Sequence, residues 1–193
     1  MISKLNLGCG QRPLEGWINL DLMSGTGVDV VADLDRCRTQ PLPFPSERFD
    51  EFWGSHVLEH LRDPVPFMQE LYRIAKPNAT ALFLLPYGSS DDAFEDPTHV
   101  RPWFINSFAV FAQVGPKAPP PNYEADWLTE EIVLDVAADW ARGKTDEVLR
   151  DEVDRFRNVV KQMRVRFRAQ KPARAAAVEQ ISACVTFNFP ATS

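Results

Sequence analysis

The chain has 193 residues, 45% of them hydrophobic and 25% charged. That size and balance suit one globular domain, residues 1–193, that buries about 70% of its unfolded surface, and they exclude a disordered or fibrous protein. No apolar run approaches the roughly 20 residues that span a bilayer. The opening MISKLNLGCG reads as strand with no export signal, and the three scattered cysteines Cys9, Cys37 and Cys184 suit a reducing compartment. A cytoplasmic protein is expected.

The net charge of -6 is unevenly spread. Residues 1–149 carry 12 Lys/Arg against 23 Asp/Glu, and residues 150–174 carry nine Lys/Arg against three acids. Such a basic segment can meet an anionic ligand or nucleic acid, or it can pair with the acids of its own chain.

Taken in order, Lys4–Leu7 reads as a first strand, Trp17–Asp21 as a second and Val28–Ala32 as a third, followed by Phe49–Ser55 and Thr80–Pro86. All are apolar without strict alternation, as parallel strands buried on both faces require. Between the last two, Phe67, Leu71 and Ile74 recur at helical spacing, with Asp63 as cap, Pro64 in the first turn and Pro77 as terminator. Asn106–Gln113 predicts a short helix, and GPKAPPPN (115–122) a stiff connection. Beyond it, Ile132, Val133, Val136 and Trp140 predict a helix over Thr129–Arg142, and Val148, Leu149, Val153 and Val160 a second one from Thr145 to about Val160. Residues 115–160 thus read as a helical insertion. MRVRFRA and ACVTFNF alternate with period two and predict a terminal antiparallel pair. The expected fold is α/β and doubly wound, Rossmann-like and mostly parallel, with an antiparallel C-terminal strand.

The chemistry concentrates at strand tips. LNLGCG ends a strand in Gly8-x-Gly10, where the lack of a side chain lets backbone approach a ligand closely; a tight structural turn would use the same glycines. Asp21 at the next tip can accept both hydroxyls of a ribose, and Asp33 at the third can accept an adenine amine. Together they outline a nucleoside cradle at the carboxyl edge of the sheet.

With LPFPSERFD, SHVLEHL and ELYRIAKPNA added, residues from Lys4 to about Tyr87 resemble the class I S-adenosylmethionine-dependent methyltransferases. The resemblance implies cofactor contacts from Asn6, Gly8, Cys9, Gly10, Asp21, Leu22, Asp33, Leu34 and Ser55. It also implies methyl transfer to an oxygen or nitrogen of a small-molecule or glycan-like acceptor. Two other readings stay open: an S-adenosylmethionine-binding protein of the same fold that does not methylate, and an RNA-directed 2′-O-methyltransferase using the basic segment. The sequence departs from the family pattern in having Asn6 where an acid is usual, and only six residues between Gly10 and Trp17, too few for a three-turn helix. A replacement cover for the methionine end is expected from residues 88–125.

All three histidines, His56, His60 and His99, fall where an acceptor would meet the methyl group. HVLEH matches a zinc-peptidase pattern literally, but follows a strand of the methyltransferase type. Small-RNA 2′-O-methyltransferases and ubiquinone-pathway O-methyltransferases resemble the chain here, with E-x-x-E-H metal ligands. That resemblance implies Glu59 and His60 as ligands of a divalent metal, with His99 able to supply a later one. His56 and His99 are alternatively catalytic bases, or Glu59 and His60 are purely structural. Asp96, Arg101 and Trp103, in the long polar loop after the fifth strand, are the candidate acceptor contacts.

Overall fold

The computed structural model describes residues 2–190. Ten strands form, β1 (Lys4–Leu7), β2 (Ile18–Asp21), β3 (Val30–Val31), β4 (Phe49–Ser55), β5 (Ala75–Pro86), β6 (Val114–Gly115), β7 (Trp127–Val136), β8 (Val160–Ala169), β9 (Ala177–Val178) and β10 (Cys184–Asn188). Four helices accompany them, α1 (Pro64–Ile74), α2 (Asp92–Glu95), α3 (Ala138–Ala141) and α4 (Asp146–Arg155). Eight strands make one sheet in the order β10-β7-β8-β5-β4-β1-β2-β3, and β6 pairs with β9 separately. Only β8 runs antiparallel to its neighbours, β5 and β7.

Local chemistry explains the best-defined crossover. Asp63 accepts the Val65 amide at 3.3 Å, Pro64 starts the first turn of α1, and Phe67, Met68, Leu71 and Ile74 are fully buried. β5 begins at Ala75, earlier than its apolar run. Ala75 pairs with Phe49, but pairing resumes only at Thr80 with Glu51. The intervening Asn78 takes a left-handed φ of 63°, a conformation asparagine tolerates.

No helix separates β1 from β2 or β2 from β3, as the short spacing required. The first connection is held by side chains instead. Asn19 accepts from Asn6 at 2.9 Å and from the Leu14 amide at 2.8 Å, and returns donors to the Leu14 and Trp17 carbonyls.

The second half corrects three expectations. Thr129–Arg142 is not a helix: Trp127–Val136 is strand β7 inside the main sheet, and only Ala138–Ala141 is helical. Its apolar positions fit two periods. Ile132, Leu134 and Val136 bury alternately, and three β-branched residues within five favour strand. The helical insertion therefore shrinks to α3 and α4, between β7 and β8. In α4 the Thr145 hydroxyl does cap, accepting from Val148 at 3.4 Å. The helix stops at Arg155, because Val159 and Val160 are fully buried and lead into β8.

The two terminal strands do not pair with each other. β8 is an interior strand between β5 and β7, while β10 lies parallel to β7 at the sheet edge. Among the described residues, no helix is long and apolar enough to cross a membrane.

At the far end of the core, Asp126 is fully buried. It accepts from the Gln113 amide at 3.0 Å and twice from the Arg174 guanidinium, at 2.7 and 2.8 Å. Burial pushes its pKa up, but these donors prevail and hold the carboxyl below its ordinary value. Arg174→Ala strands that charge and should cost about 3 kcal/mol, read as a lower urea midpoint at unchanged m-value.

Candidate functional site

At the end of β1 the chain turns through Gly8 (φ 61°) and Gly10 (φ 51°). A Cβ on Gly8 would sit 2.7 Å from Val57 Cγ2, whereas one on Gly10 would meet nothing within 4 Å. Gly8 thus seats the loop against the segment after β4, and Gly10 faces open space. That space is a cavity of about 620 Å³ lined by Gly10, Gln11, Pro13, Asp21, Met23 and neighbours. A larger cavity, about 720 Å³, lies between the Ile105–Phe111 turn, β7 and α4 and holds none of the strand-tip groups.

Asp21 closes the first cavity at the tip of β2. Its Oδ2 accepts from the Gly10 amide at 2.7 Å and its Oδ1 from the Met23 amide at 3.0 Å. Each oxygen keeps a further lone pair for a ligand hydroxyl. Leu22 is 59% exposed beside it. Asp33 accepts from the Asp35 amide at 3.0 Å and precedes the buried Leu34; Ser55 is half-buried at the tip of β4.

Two residues expected to touch the cofactor sit beneath this surface. Asn6 is 2% exposed and its amide is spent on Asn19, so it supports the loop rather than lining the cavity. Cys9 is likewise buried, and burial pushes its thiol pKa up.

Beyond β4, His60 and His99 meet at Glu59, and His56 adjoins the same carboxylate. His56 takes a left-handed φ of 55°, and its Nδ1 stands 3.1 Å from Glu59 Oε1 without the alignment of a hydrogen bond. The Glu59 carboxylate beside it nonetheless raises the His56 pKa, against the effect of burial. Glu59 is 2% exposed, and neither carboxylate oxygen has a hydrogen-bond partner. Ligating atoms of Glu59, His60 and His99 all lie within 4.8 Å of one another. The two rings pack edge-to-face with centroids 4.8 Å apart.

Which nitrogens carry protons follows from their neighbours. Thr98 Oγ1 donates its single proton to Asp96 Oδ1 at 2.6 Å. His60 Nδ1, 3.1 Å from that oxygen and 3.3 Å from the Thr98 carbonyl, must therefore donate. His99 Nδ1 faces the Ala93 carbonyl at 3.3 Å and must donate too. In those tautomers each Nε2 keeps its lone pair, with Asp96 Oδ2 3.8 Å from that of His99. The cluster accordingly brings two imidazoles to a buried carboxylate.

Asp96, an expected acceptor contact, instead organises this loop through Thr98, whose hydroxyl lowers its pKa. Arg101 reaches the Arg62 carbonyl. Trp103 is corrected outright: it is 3% exposed and stacked on Phe108 at 5.2 Å, because the loop after β5 must bury an anchor before turning to β7. Of residues 88–125, only the part up to Arg101 borders the histidines, while Trp103, Phe108, Phe111 and Tyr123 join the core. Sequence reading missed Thr98 and the Ala93 carbonyl. Asp96-Pro97-Thr98 was a visible turn signal, but nothing in it named His60 as the partner.

The basic segment is largely consumed within the chain. Arg155, Arg157, Arg164, Arg166, Arg168, Lys171 and Arg174 pair with Asp151, Asp91, Asp135, Glu131, Glu130, Glu47 and Asp126.

Residues 5–83 match a family model described as a methyltransferase domain. A search of the curated proteins finds no match. Among solved structures, a SAM-dependent methyltransferase from Archaeoglobus fulgidus is similar, with 16% identity, TM-score 0.58 and 86% of each chain covered. The YcgJ protein from Bacillus subtilis aligns at 14% identity and TM-score 0.55, over 89% of this chain and 93% of its own. A chain in a complex of the Haloferax volcanii Trm112 methyltransferase activator with a methyltransferase aligns at 17% identity and TM-score 0.51, covering 88% and 83%. The matched stretch, which runs from β1 into β5 and contains both glycines, Asp21, Asp33 and Glu59, is thus similar to a methyltransferase domain, and the whole chain shares the α/β fold of these solved structures.

Proposed function

We propose that the enzyme methylates an oxygen or nitrogen of a small-molecule or glycan-like acceptor, and that Glu59, His60 and His99 hold a divalent cation beside it. The observation that carries the metal is the cluster itself: a 2% exposed carboxylate with neither oxygen hydrogen-bonded, whose ligating atoms and those of His60 and His99 lie within 4.8 Å of one another. A buried carboxylate that no hydrogen bond satisfies is costly, and a cation would lower that cost. Two nitrogens and one carboxylate suit Zn, Fe or Mn better than Mg. The Nδ1 contacts to Thr98 and Ala93 are the supports that metal-ligating histidines ordinarily have.

S-adenosylmethionine, when bound, supplies an electrophilic methyl on a sulfonium. The chain's own work is positioning. Gly8 and Gly10 admit the cofactor against backbone, Asp21 takes the ribose hydroxyls, and Asp33 with Leu34 takes the adenine end. His56, half-exposed at the head of the cluster, is placed to accept the acceptor's proton as the methyl transfers. Alignment of this kind is worth up to about 7–11 kcal/mol. A bound cation would lower the pKa of an acceptor hydroxyl.

Nucleic acid is not the favoured acceptor, because seven cations of the basic segment already face the chain's own acids. A second reading rests on the 3.1 Å approach of His56 to Glu59: the pair acts as a base without metal. The deciding experiment is transfer of labelled methyl from S-adenosylmethionine to panels of hydroxylated and amino small molecules and oligosaccharides, with and without chelator. Chelator-sensitive labelling supports the metal reading. Labelling that resists chelation and is lost in His56→Gln supports the His56–Glu59 pair. Calorimetric binding of the cofactor with no labelled product from any panel would favour a non-methylating binding protein.

A further inference from the structure

Asp91 lies outside the matched residues 5–83 and outside the proposed site, yet it joins two separate parts of the chain. From the α4–β8 junction, Arg157 donates to Asp91 Oδ1 at 2.7 Å and Asn158 Nδ2 to Asp91 Oδ2 at 2.7 Å. Asn158 Oδ1 in turn accepts the Asp91 amide at 2.7 Å. Asn158 holds the left-handed φ of 61° that aims its side chain this way. Asp91 immediately precedes α2, and its carbonyl accepts the Phe94 and Glu95 amides at 2.8 and 2.9 Å. Within that turn, the Ala93 carbonyl is the acceptor for His99 Nδ1 at 3.3 Å.

We propose that Asp91, clasped by Arg157 and Asn158, is a positioning residue of the acceptor site: it fixes the α2 turn so that the Ala93 carbonyl holds His99 as its Nδ1–H tautomer, with the ring kept in the cluster of Glu59 and His60. The inference rests on the reading of those three residues as the acceptor centre. His60 needs no such help, since Thr98 and Asp96 set its proton locally. His99 has only the α2 carbonyl on Nδ1 and the more distant Asp96 Oδ2, at 3.8 Å, by Nε2, so whatever moves α2 shifts the proton between the two nitrogens. The clasp is exposed, at 45% for the Asp91 side chain and 66% for Arg157. Exposed ion pairs contribute little to global stability, so this one can be broken in a chain that remains folded.

The test reads tautomers and needs neither metal nor turnover. With histidine labelled in ¹⁵N, the three histidines give three sets of ring signals at pH 8 in metal-free protein. The wild-type protein should show His99 and His60 in the Nδ1–H form. In Asp91→Ala, His99 should move toward the solution mixture of tautomers while His60 stays unchanged, and Asp91→Asn should restore part of the wild-type signal. Arg157→Ala, which leaves Asp91 and Asn158 in place, should shift His99 by a smaller amount. If His99 keeps its wild-type tautomer in both alanine variants, the proposal is overturned. A companion titration with Co(II) should show about tenfold weaker binding in Asp91→Ala, the usual scale for losing a ligand's support, with S-adenosylmethionine affinity within twofold. Absence of Co(II) binding by the wild-type protein would count against the metal reading alone, because the tautomer result stands without it.

Discussion

Asp21→Ala is expected to weaken S-adenosylmethionine binding more than tenfold. The carboxylate sits at the mouth of the cavity beside Gly10, and each of two ribose hydroxyls bonded to a charged acceptor contributes about 1.5–3 kcal/mol. Alanine also frees the Gly10 and Met23 amides, so the cradle loses shape as well as its ligand contacts. Both amides lie at an exposed loop, which should leave the melting temperature little changed. Calorimetric titration of the folded variant decides the matter. Affinity equal to wild type would mean that the ribose is held elsewhere.

Removal of the metal is expected to have the larger effect on turnover. Purified protein should carry Zn, Fe or Mn by elemental analysis. Chelation should then abolish methyl transfer while cofactor affinity stays nearly intact, because Glu59, His60 and His99 are distinct from the groups lining the nucleoside cavity. Glu59→Gln should lose the metal and yet fold, since the amide removes a buried charge that has no hydrogen-bond partner. If Glu59 were purely structural, the same change would lower stability and leave metal content and rate alone. A protein free of metal whose turnover ignores chelators would refute the cation site. It would leave the His56–Glu59 pair as the base.

Much of the first half of the chain was legible in the sequence. β1 and β4 have the bounds their apolar runs announced, α1 has the cap and the proline that its sequence declared, and Gly8, Gly10 and Asp21 stand together at the edge where strand tips converge. These features are local. Turn chemistry, capping and burial on both faces of a strand act over a few residues, so they leave their mark in a few residues. The same locality made Glu59 and His60 visible, one residue apart on a single turn.

Tertiary structure decided the rest. β7 carries apolar residues that fit a helical stripe and a buried strand equally, and its neighbours β8 and β10 resolved the choice by offering hydrogen bonds along its length. Partner selection among β5, β7, β8 and β10 spans up to about a hundred residues and leaves no periodic trace. Asn6 and Trp103 show the same limit on single side chains. Each has a chemistry fit for ligand contact, and each was claimed by the interior, one by Asn19 and the other by Phe108. His99 is the converse case. It stands 40 residues from Glu59 in sequence, and only the return of the loop after β5, tied by the Val100 amide to the Glu59 carbonyl at 2.8 Å, brings its imidazole to that buried carboxylate.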